Sequence, residues 1–270
     1  MPPAPAHRCR VLPSPWPGVY ATEIDSGRHY GRHSHGCFGF GVLAHGAHRS
    51  SSDRAVVDAY AGDIVATNPG EMHDGRPLGG PSRRWSTVYV EPPVLASLAG
   101  VEGDIAIARP AFTDPELRHA VGALLASLAA WNGKRADALA CEEALARACG
   151  LLLERHAARR VAVEAGAPGL ERVRQRLADD LAHPPSLAEL AALAGISRFQ
   201  LLRRFAAQHG CTPHAWLLQQ RAERVRHLVG SGTSLAEAAA ACGFADQSHM
   251  TRIFTRQFGF TPGAWKAALQ

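Results

Sequence analysis

The stretch Ser186-Leu187-Ala188-Glu189, continuing to Gly195-Ile196-Ser197-Arg198-Phe199-Gln200-Leu201-Leu202-Arg203-Arg204-Phe205 and on to Gly210-Cys211-Thr212-Pro213, is written twice in this chain. Its second copy opens Ser234-Leu235-Ala236-Glu237 and reaches Gly243-Phe244. It then runs Asp246-Gln247-Ser248-His249-Met250-Thr251-Arg252-Ile253-Phe254 to Gly259-Phe260-Thr261-Pro262. Trp216 and Trp265 follow the two copies. The offset is 48 residues at the glycines (195 to 243) and 49 from Phe205 and Phe254 onward, so one residue enters the second turn. Two copies are too few for a solenoid, which needs about three to bury its faces. They suit a duplicated module meeting a ligand that itself repeats.

Each copy predicts a helix, a short turn and a helix. Ser186 and Ser234 stand three residues before Glu189 and Glu237, the capping-box spacing. Leu187, Leu190 and Leu193 share a face of the first short helix. Gly195 and Gly243 fall where a helix must stop, at a position favouring positive φ. The next helix carries Leu201, Leu202 and Phe205 at helical spacing, with Arg198, Gln200, Arg203 and Arg204 among them. In the second copy Met250, Ile253 and Phe254 are apolar, and Gln247, Ser248, His249, Thr251, Arg252 and Arg256 take the other positions. A face of Arg, Gln, Ser and His on a short, firmly held helix reaches base edges and phosphates. This is helix-turn-helix patterning in duplicate.

The stretch resembles the DNA-binding domain of the AraC/XylS family of transcription regulators. The residues carrying the resemblance are the Gly-Ile and Gly-Phe turns, Phe205 and Phe254 late in each second helix, a long linking helix from about Pro213 to Val229, and the closing Gly-Phe-Thr-Pro at 259–262. It covers about 100 residues, Gly169 to Gln270. It implies that Arg198, Phe199, Gln200, Leu202 and Arg203 in one helix, and Gln247, Ser248, His249, Arg252 and Arg256 in the other, meet double-stranded DNA. Leu202 departs from the family, where a polar residue is common. Arg203 and Arg252 suit guanine, Gln247 suits adenine, and Phe199 and Leu202 suit a thymine methyl. Phe205, Phe254, Leu201 and Ile253 are assigned to the core.

Charge agrees once it is divided. Residues 1–169 hold 17 Lys+Arg and 17 Asp+Glu, whereas residues 170–270 hold 12 and 7. The formal net charge of +5 therefore lies on the duplicated half, the sign needed to meet phosphate. Lys occurs only at 134 and 266, so this Arg-rich composition also fits a genome-wide bias; the repeat decides the reading. At 270 residues two domains are expected. Six cysteines without CxxC spacing point to a reduced, cytoplasmic setting, with Cys141 and Cys149 packed on one helix face. The start, Met1 to Pro17, is Pro-rich without an apolar core segment, and no run of 18 apolar residues suggests a membrane span.

Between Val19 and Glu91 short apolar or alternating runs recur at 19–24, 38–43, 55–60, 63–67 and 86–90, separated by Gly, Pro, Asp and Ser. Many short strands predict a sandwich or barrel. Gly27 followed by His33-Ser34-His35, and Gly62-Asp63 leading to Asn68-Pro69-Gly70-Glu71-Met72-His73, resemble the two motifs of a cupin barrel, the ligand-sensing half of many AraC-type regulators. His33, His35, Glu71 and His73 admit three readings: a metal site, the wall of a small-molecule pocket, or structural histidines. Metal-binding cupins carry a Glu four or five residues after the His-x-His; here those positions are Gly39 and Phe40. No metal or cofactor is therefore expected. His33, His35, His73, Trp85 and Tyr89 are the ligand-binding expectation, with Arg28 and Arg32 further pocket positions.

From Phe112 the period becomes helical. Thr113-Asp114-Pro115-Glu116 starts a helix carrying Leu117, Val121, Leu124, Leu125 and Leu128 on one face. A second helix is expected from about Ala136 to Arg159, with Leu139, Leu145, Cys149, Leu152 and Leu153. By resemblance this hairpin dimerises; the alternative is that it covers the barrel's face. Val161 to Gly169 reads as a linker.

The expected architecture is α+β in two domains: a cupin-like β-barrel with a helical hairpin at 18–160, a linker at 161–169, and an all-α domain with two helix-turn-helix motifs at 170–270. The expected function is effector-modulated, sequence-specific transcription regulation by a homodimer, with RNA polymerase as a further partner, no membrane association and no catalytic residues. The alternatives are a constitutive DNA-binding protein whose barrel only dimerises, and a metallocupin enzyme fused to a DNA-binding domain. The sequence shows no Ser/His/Asp nucleophile arrangement and no phosphate-cradling Gly loop.

Overall fold

The computed structural model describes residues 7–52, 55–99, 105–132, 138–159 and 168–269. The chain divides into two compact units, Met1–Arg160 and Val161–Gln270. The linker expected at 161–169 lies, up to residue 167, outside the described residues.

In the first unit the strands are β1 (His7–Pro13), β2 (Val19–Ser26), β3 (Tyr30–His33), β4 (Phe38–His45), β5 (Ala47–Ser51), β6 (Val56–Tyr60), β7 (Ile64–Thr67), β8 (His73–Pro77) and β9 (Arg83–Val90). Then come helix α1 (Pro92–Ala99), β10 (Ile105–Ile107), β11 (Ala111–Phe112), helices α2 (Pro115–Asn132) and α3 (Ala138–His156), and β12 (Ala157–Arg159). A six-stranded antiparallel sheet runs β1-β2-β9-β4-β7-β11, and a four-stranded one runs β3-β8-β5-β6. This is the cupin-like arrangement the sequence suggested.

The pleat sorts the side chains of the large sheet. Val19 and Ala21 of β2, Phe38 and Phe40 of β4, and Val88 and Val90 of β9 lie in one core cluster with Leu95 of α1, Leu117, Val121, Leu124 and Leu128 of α2, and Leu145, Cys149 and Leu152 of α3. The helical hairpin thus covers one face of the sheet and spends its apolar stripe there. Because side chains alternate along a strand, Tyr20 and Thr22 of β2 and Trp85, Thr87 and Tyr89 of β9 point the other way, toward the small sheet. The rings of Tyr30 with Trp85, and of His35 with Tyr89, bridge the two sheets at 6.0 and 5.6 Å.

Several expectations need correction. β1 extends the large sheet to His7, with Val11 and Leu12 buried, although the Pro-rich start was read as lacking a core segment. The alternating pattern was there in His-Arg-Cys-Arg-Val-Leu, masked by two arginines facing outward. β3, β5 and β8 escaped the sequence reading because their residues are mostly polar, with no apolar alternation to mark a strand. The second hairpin helix ends at His156 rather than near Arg159, and the next three residues pair with β10. Leu139 is exposed (63%), not on the buried face. The six cysteines form no disulfide, and Cys141 and Cys149 are buried as packing residues.

Asp114 fixes the start of α2. Its Oδ1 accepts the backbone N–H of Leu117 at 2.9 Å and of Glu116 at 3.1 Å, and its Oδ2 meets Nε2 of His156 at 2.8 Å. The His156 ring stacks on Phe112 at 3.9 Å, so the end of α3 is tied to the start of α2.

The second unit is helical: α4 (Pro168–Asp179), α5 (Leu187–Ala194), α6 (Arg198–His209), α7 (Pro213–Gly230), α8 (Leu235–Ala241), α9 (Gln247–Phe258) and α10 (Pro262–Ala268). Leu170, Val173, Leu177, Leu190, Leu201, Phe205 and Trp216 form the core of its first half. In the second half Phe254, Phe258, Phe260 and Trp265 contact one another ring to ring. Helix α7 runs between the halves and buries Trp216, Leu217, Ala222, Val225 and Val229. Arg221 on α7 donates from Nε to the carbonyl of Leu181 at 2.7 Å, and its guanidinium lies over Phe244 at 5.9 Å. Leu193, expected on the buried face of α5, is 37% exposed; its carbonyl accepts from Arg172.

Candidate nucleic-acid interface

The two repeats build the same device from the same parts. Ser186 and Ser234 cap α5 and α8 in full capping boxes with Glu189 and Glu237. Gly195 closes α5 in the left-handed region at φ 67°, and Gly243 follows α8 at φ 73°. Two residues after Gly195 comes Ser197, the N-cap of α6; three after Gly243 comes Asp246, the N-cap of α9. The extra residue of the second turn is absorbed there. Helices α6 and α9 are both 12 residues long, and each ends on a left-handed glycine, Gly210 and Gly259. Thr212 and Thr261, each followed by Pro, then cap α7 and α10.

These caps leave α6 and α9 with one face in the core and one outside. Phe205 and Phe254 are both fully buried, as are Leu201 and Met250. Ile253, assigned to the core, is only half-buried. Arg198, Leu202, Arg203 and Arg204 are exposed on α6, and Phe199 is 73% exposed, a large aromatic surface left in water. On α9 Gln247, Ser248, Arg252 and Arg256 are exposed and His249 is half-buried, its ring edge-on to Phe244 at 5.4 Å. Gln247, Ser248, Thr251 and Arg252 line an open groove. Gln200 does something the sequence reading missed. Its Oε1 accepts the Ser197 N–H at 3.0 Å while the Ser197 Oγ accepts the Gln200 N–H at 3.2 Å, so it completes a capping box. The Ser-x-x-Gln spacing carried that signal.

In the first unit the interior between the sheets gathers the sequence-predicted histidines. His33 of β3 stands opposite His73 of β8 in the strand register, and His35 follows two residues on, the same side of an extended chain. One nitrogen from each of the three rings lies within 4.8 Å of the others. The ring centroids are 4.4 Å (His33–His73), 4.9 Å (His33–His35) and 5.3 Å (His35–His73) apart. His35 is buried; His33 and His73 are half-buried. Nδ1 of His33 donates to the carbonyl of Gly31 at 2.7 Å, and Nδ1 of His73 to the carbonyl of Glu71 at 2.9 Å. Burial pushes His33 down to about 3, and it lowers His73 as well, so both rings are neutral at pH 7.

Glu71 does not join this cluster. Its Oε2 accepts from the backbone and side-chain N–H groups of Asn68 at 3.1 and 2.9 Å. Tyr89 stacks on Tyr20 at 4.7 Å and borders the cluster through His35. Trp85 lies farther along, under the guanidinium of Arg83 at 4.6 Å. Arg28 and Arg32 are both exposed. The sequence reading overlooked Arg83 itself. It is fully buried, donates from Nε to Nδ1 of His48 at 2.7 Å and from Nη1 to the carbonyl of Arg28 at 3.1 Å, and its Nη2 has no hydrogen-bond partner among the described residues.

Comparison with known proteins supports both units. Residues 17–148 match the AraC-like ligand binding domain, and residues 190–268 match a helix-turn-helix domain. The transcriptional activator NphR of a Rhodococcus species is 38% identical over 82 residues, 30% of this chain but only 24% of that protein. The HTH-type transcriptional regulator YbfI of Bacillus subtilis is 26% identical over 193 residues, 70% of each chain. Apo ToxT of Vibrio cholerae shares the fold with a TM-score of 0.57 at 11% identity, over 96% of this chain and 100% of that one. ToxT solved with an unsaturated fatty acid bound gives 0.53, also at 11% identity, over 99% of this chain and 96% of that one. Among the described residues no helix is long and apolar enough to cross a membrane.

Proposed function

Because this chain belongs to the AraC family of transcription regulators, carrying its ligand-binding and helix-turn-helix domains, we propose that it reads operator DNA with α6 and α9 and that a small molecule bound in the barrel modulates this. The observation that carries the reading is the pair of equally long, doubly capped helices, each turning an Arg-bearing face to solvent and a Phe to the core. The helices enter successive major-groove segments about 34 Å apart, one turn of DNA, with α7 holding the spacing. Arg203 and Arg252 pair bidentately with guanine, Gln247 meets adenine, and Phe199 and Leu202 touch thymine methyls. Arg198, Ser248 and His249 complete the base-facing set, and Arg256 contacts phosphate.

The effector occupies the interior bordered by His35, Tyr89 and Trp85, and acts by binding one state of the protein more tightly than the other. The buried guanidinium of Arg83, with its unused Nη2, favours an effector bearing an anionic group. The regulator works in the cytoplasm as a homodimer, and RNA polymerase is its partner at the promoter.

The test is footprinting of the full-length protein on DNA upstream of its own gene and neighbouring genes, at two salt concentrations, with Arg252→Ala as control. Protection over two adjacent helical turns, lost in the variant, is expected. Weak binding that ignores sequence, with and without a panel of carboxylate metabolites, would overturn the reading.

A further inference from the structure

We propose that the barrel binds one divalent first-row transition-metal ion through His33, His35 and His73. The inference concerns the first unit alone and stands or falls independently of the DNA-reading helices.

Three features carry it. The first is convergence: three imidazole nitrogens already lie within 4.8 Å of one another, two of them supplied by residues paired across β3 and β8. In a tetrahedral site with metal–nitrogen bonds of about 2.0–2.1 Å, ligand nitrogens stand roughly 3.3 Å apart. The present spread of up to 4.8 Å is wider, so the rings must turn inward to close on an ion.

The second is orientation. His33 and His73 each spend Nδ1–H on a backbone carbonyl, at 2.7 and 2.9 Å. That bond fixes the tautomer and leaves the Nε2 lone pair for a ligand, the arrangement seen around metal-binding histidines.

The third is what the strand beside them forbids. A side chain at Gly39 of β4 would put its Cβ 2.7 Å from Oγ1 of Thr67 and 3.4 Å from the ring of Tyr89, so β4 cannot supply a carboxylate ligand. Glu71 is held by Asn68. The site is therefore three imidazoles with an open coordination position, which water or an oxygen donor fills. Imidazole donors without carboxylates favour zinc and its first-row neighbours over magnesium or calcium.

The experiment uses the untagged full-length chain, stripped with a chelator and titrated with zinc sulfate by calorimetry. About one zinc per chain at micromolar affinity or tighter is expected. His33→Ala and His73→Ala should each weaken it at least 30-fold, while His29→Ala and His45→Ala, which change exposed histidines, should not. In parallel, two-bond ¹H–¹⁵N spectra of the wild-type imidazoles report coordination without any variant, so a variant that fails to fold does not spoil the test. Three rings shifting together on zinc addition support the site. No binding at about 100 µM zinc, or binding that survives when His33→Ala and His73→Ala are combined, overturns it.

Discussion

Nε of Arg83 donates to Nδ1 of His48 at 2.7 Å, so a fully buried guanidinium is held by an imidazole that must stay neutral. Burial, with Arg83 adding to it, pushes His48 down to about 3. In the unfolded chain the same ring titrates near 6.5. Above that pH neither state binds the proton and the pair contributes in full. As pH falls from about 6.5 toward 3, the unfolded state takes up the proton first and stability is lost, by at most about 1.4 kcal/mol per pH unit for one group. Urea midpoints at pH 8 and pH 5 should therefore differ, and His48→Gln, whose amide oxygen accepts without titrating, should shrink the difference. An identical slope in the variant would contradict this account.

Asp114 predicts a second, more acidic transition. The Leu117 N–H, then His156 and Arg155, hold its carboxyl below the usual carboxylate range. A depressed carboxyl contributes stability above its unfolded value, about 3.9, and loses it as pH falls through the folded one. The wild type should lose thermal stability on acidification below about pH 4. Asp114→Asn keeps a good N-cap, costs about 1 kcal/mol at neutral pH, and should flatten that acid limb. Melting curves at pH 5 and pH 3 decide.

The two turn glycines, though equivalent by repeat, should respond differently to alanine. Both have positive φ, 67° at Gly195 and 73° at Gly243. At Gly195 a Cβ meets nothing within 4 Å, so Gly195→Ala costs only the left-handed strain, about 1–2 kcal/mol. At Gly243 a Cβ would stand 2.7 Å from both Cα and O of Ala182, a backbone that cannot swing away. Gly243→Ala adds an overpacking cost of about 1–3 kcal/mol. Equal losses in denaturant melts would count against the close approach.

Within α6, neighbouring polar residues should separate by assay. Ser197→Ala removes one side of a capping box and should cost about 1 kcal/mol of stability. Gln200→Glu preserves the box and should leave the melting temperature unchanged. Arg203→Ala, at an exposed position, should leave stability intact and weaken binding by about 1–3 kcal/mol with relaxed specificity at one base pair. A loss equal at every sequence would make Arg203 a phosphate contact.

The second unit was legible in the sequence because its information is local. Ser-x-x-Glu, the turn glycines and Thr-Pro specify helix ends within a few residues, and a duplicated pattern states them twice. Helix boundaries therefore fell close to expectation, and the misassigned residues were few: Ile253 and Leu193, whose exposure depends on neighbouring helices. In the barrel the sequence determined the class, since alternating runs and punctuating glycines mark short strands. It did not determine which strands pair or which residues meet inside. His33 and His73 are 40 positions apart and become neighbours only through the β3–β8 register; Arg83 meets His48 across sheets; Glu71 turns from the histidines to Asn68. Such contacts are non-local, set by register and by the packing of one sheet on another, and no spacing rule along the chain encodes them. The sequence by itself therefore determined the duplicated helix-turn-helix module, whereas which residues meet inside the barrel was decided by tertiary structure.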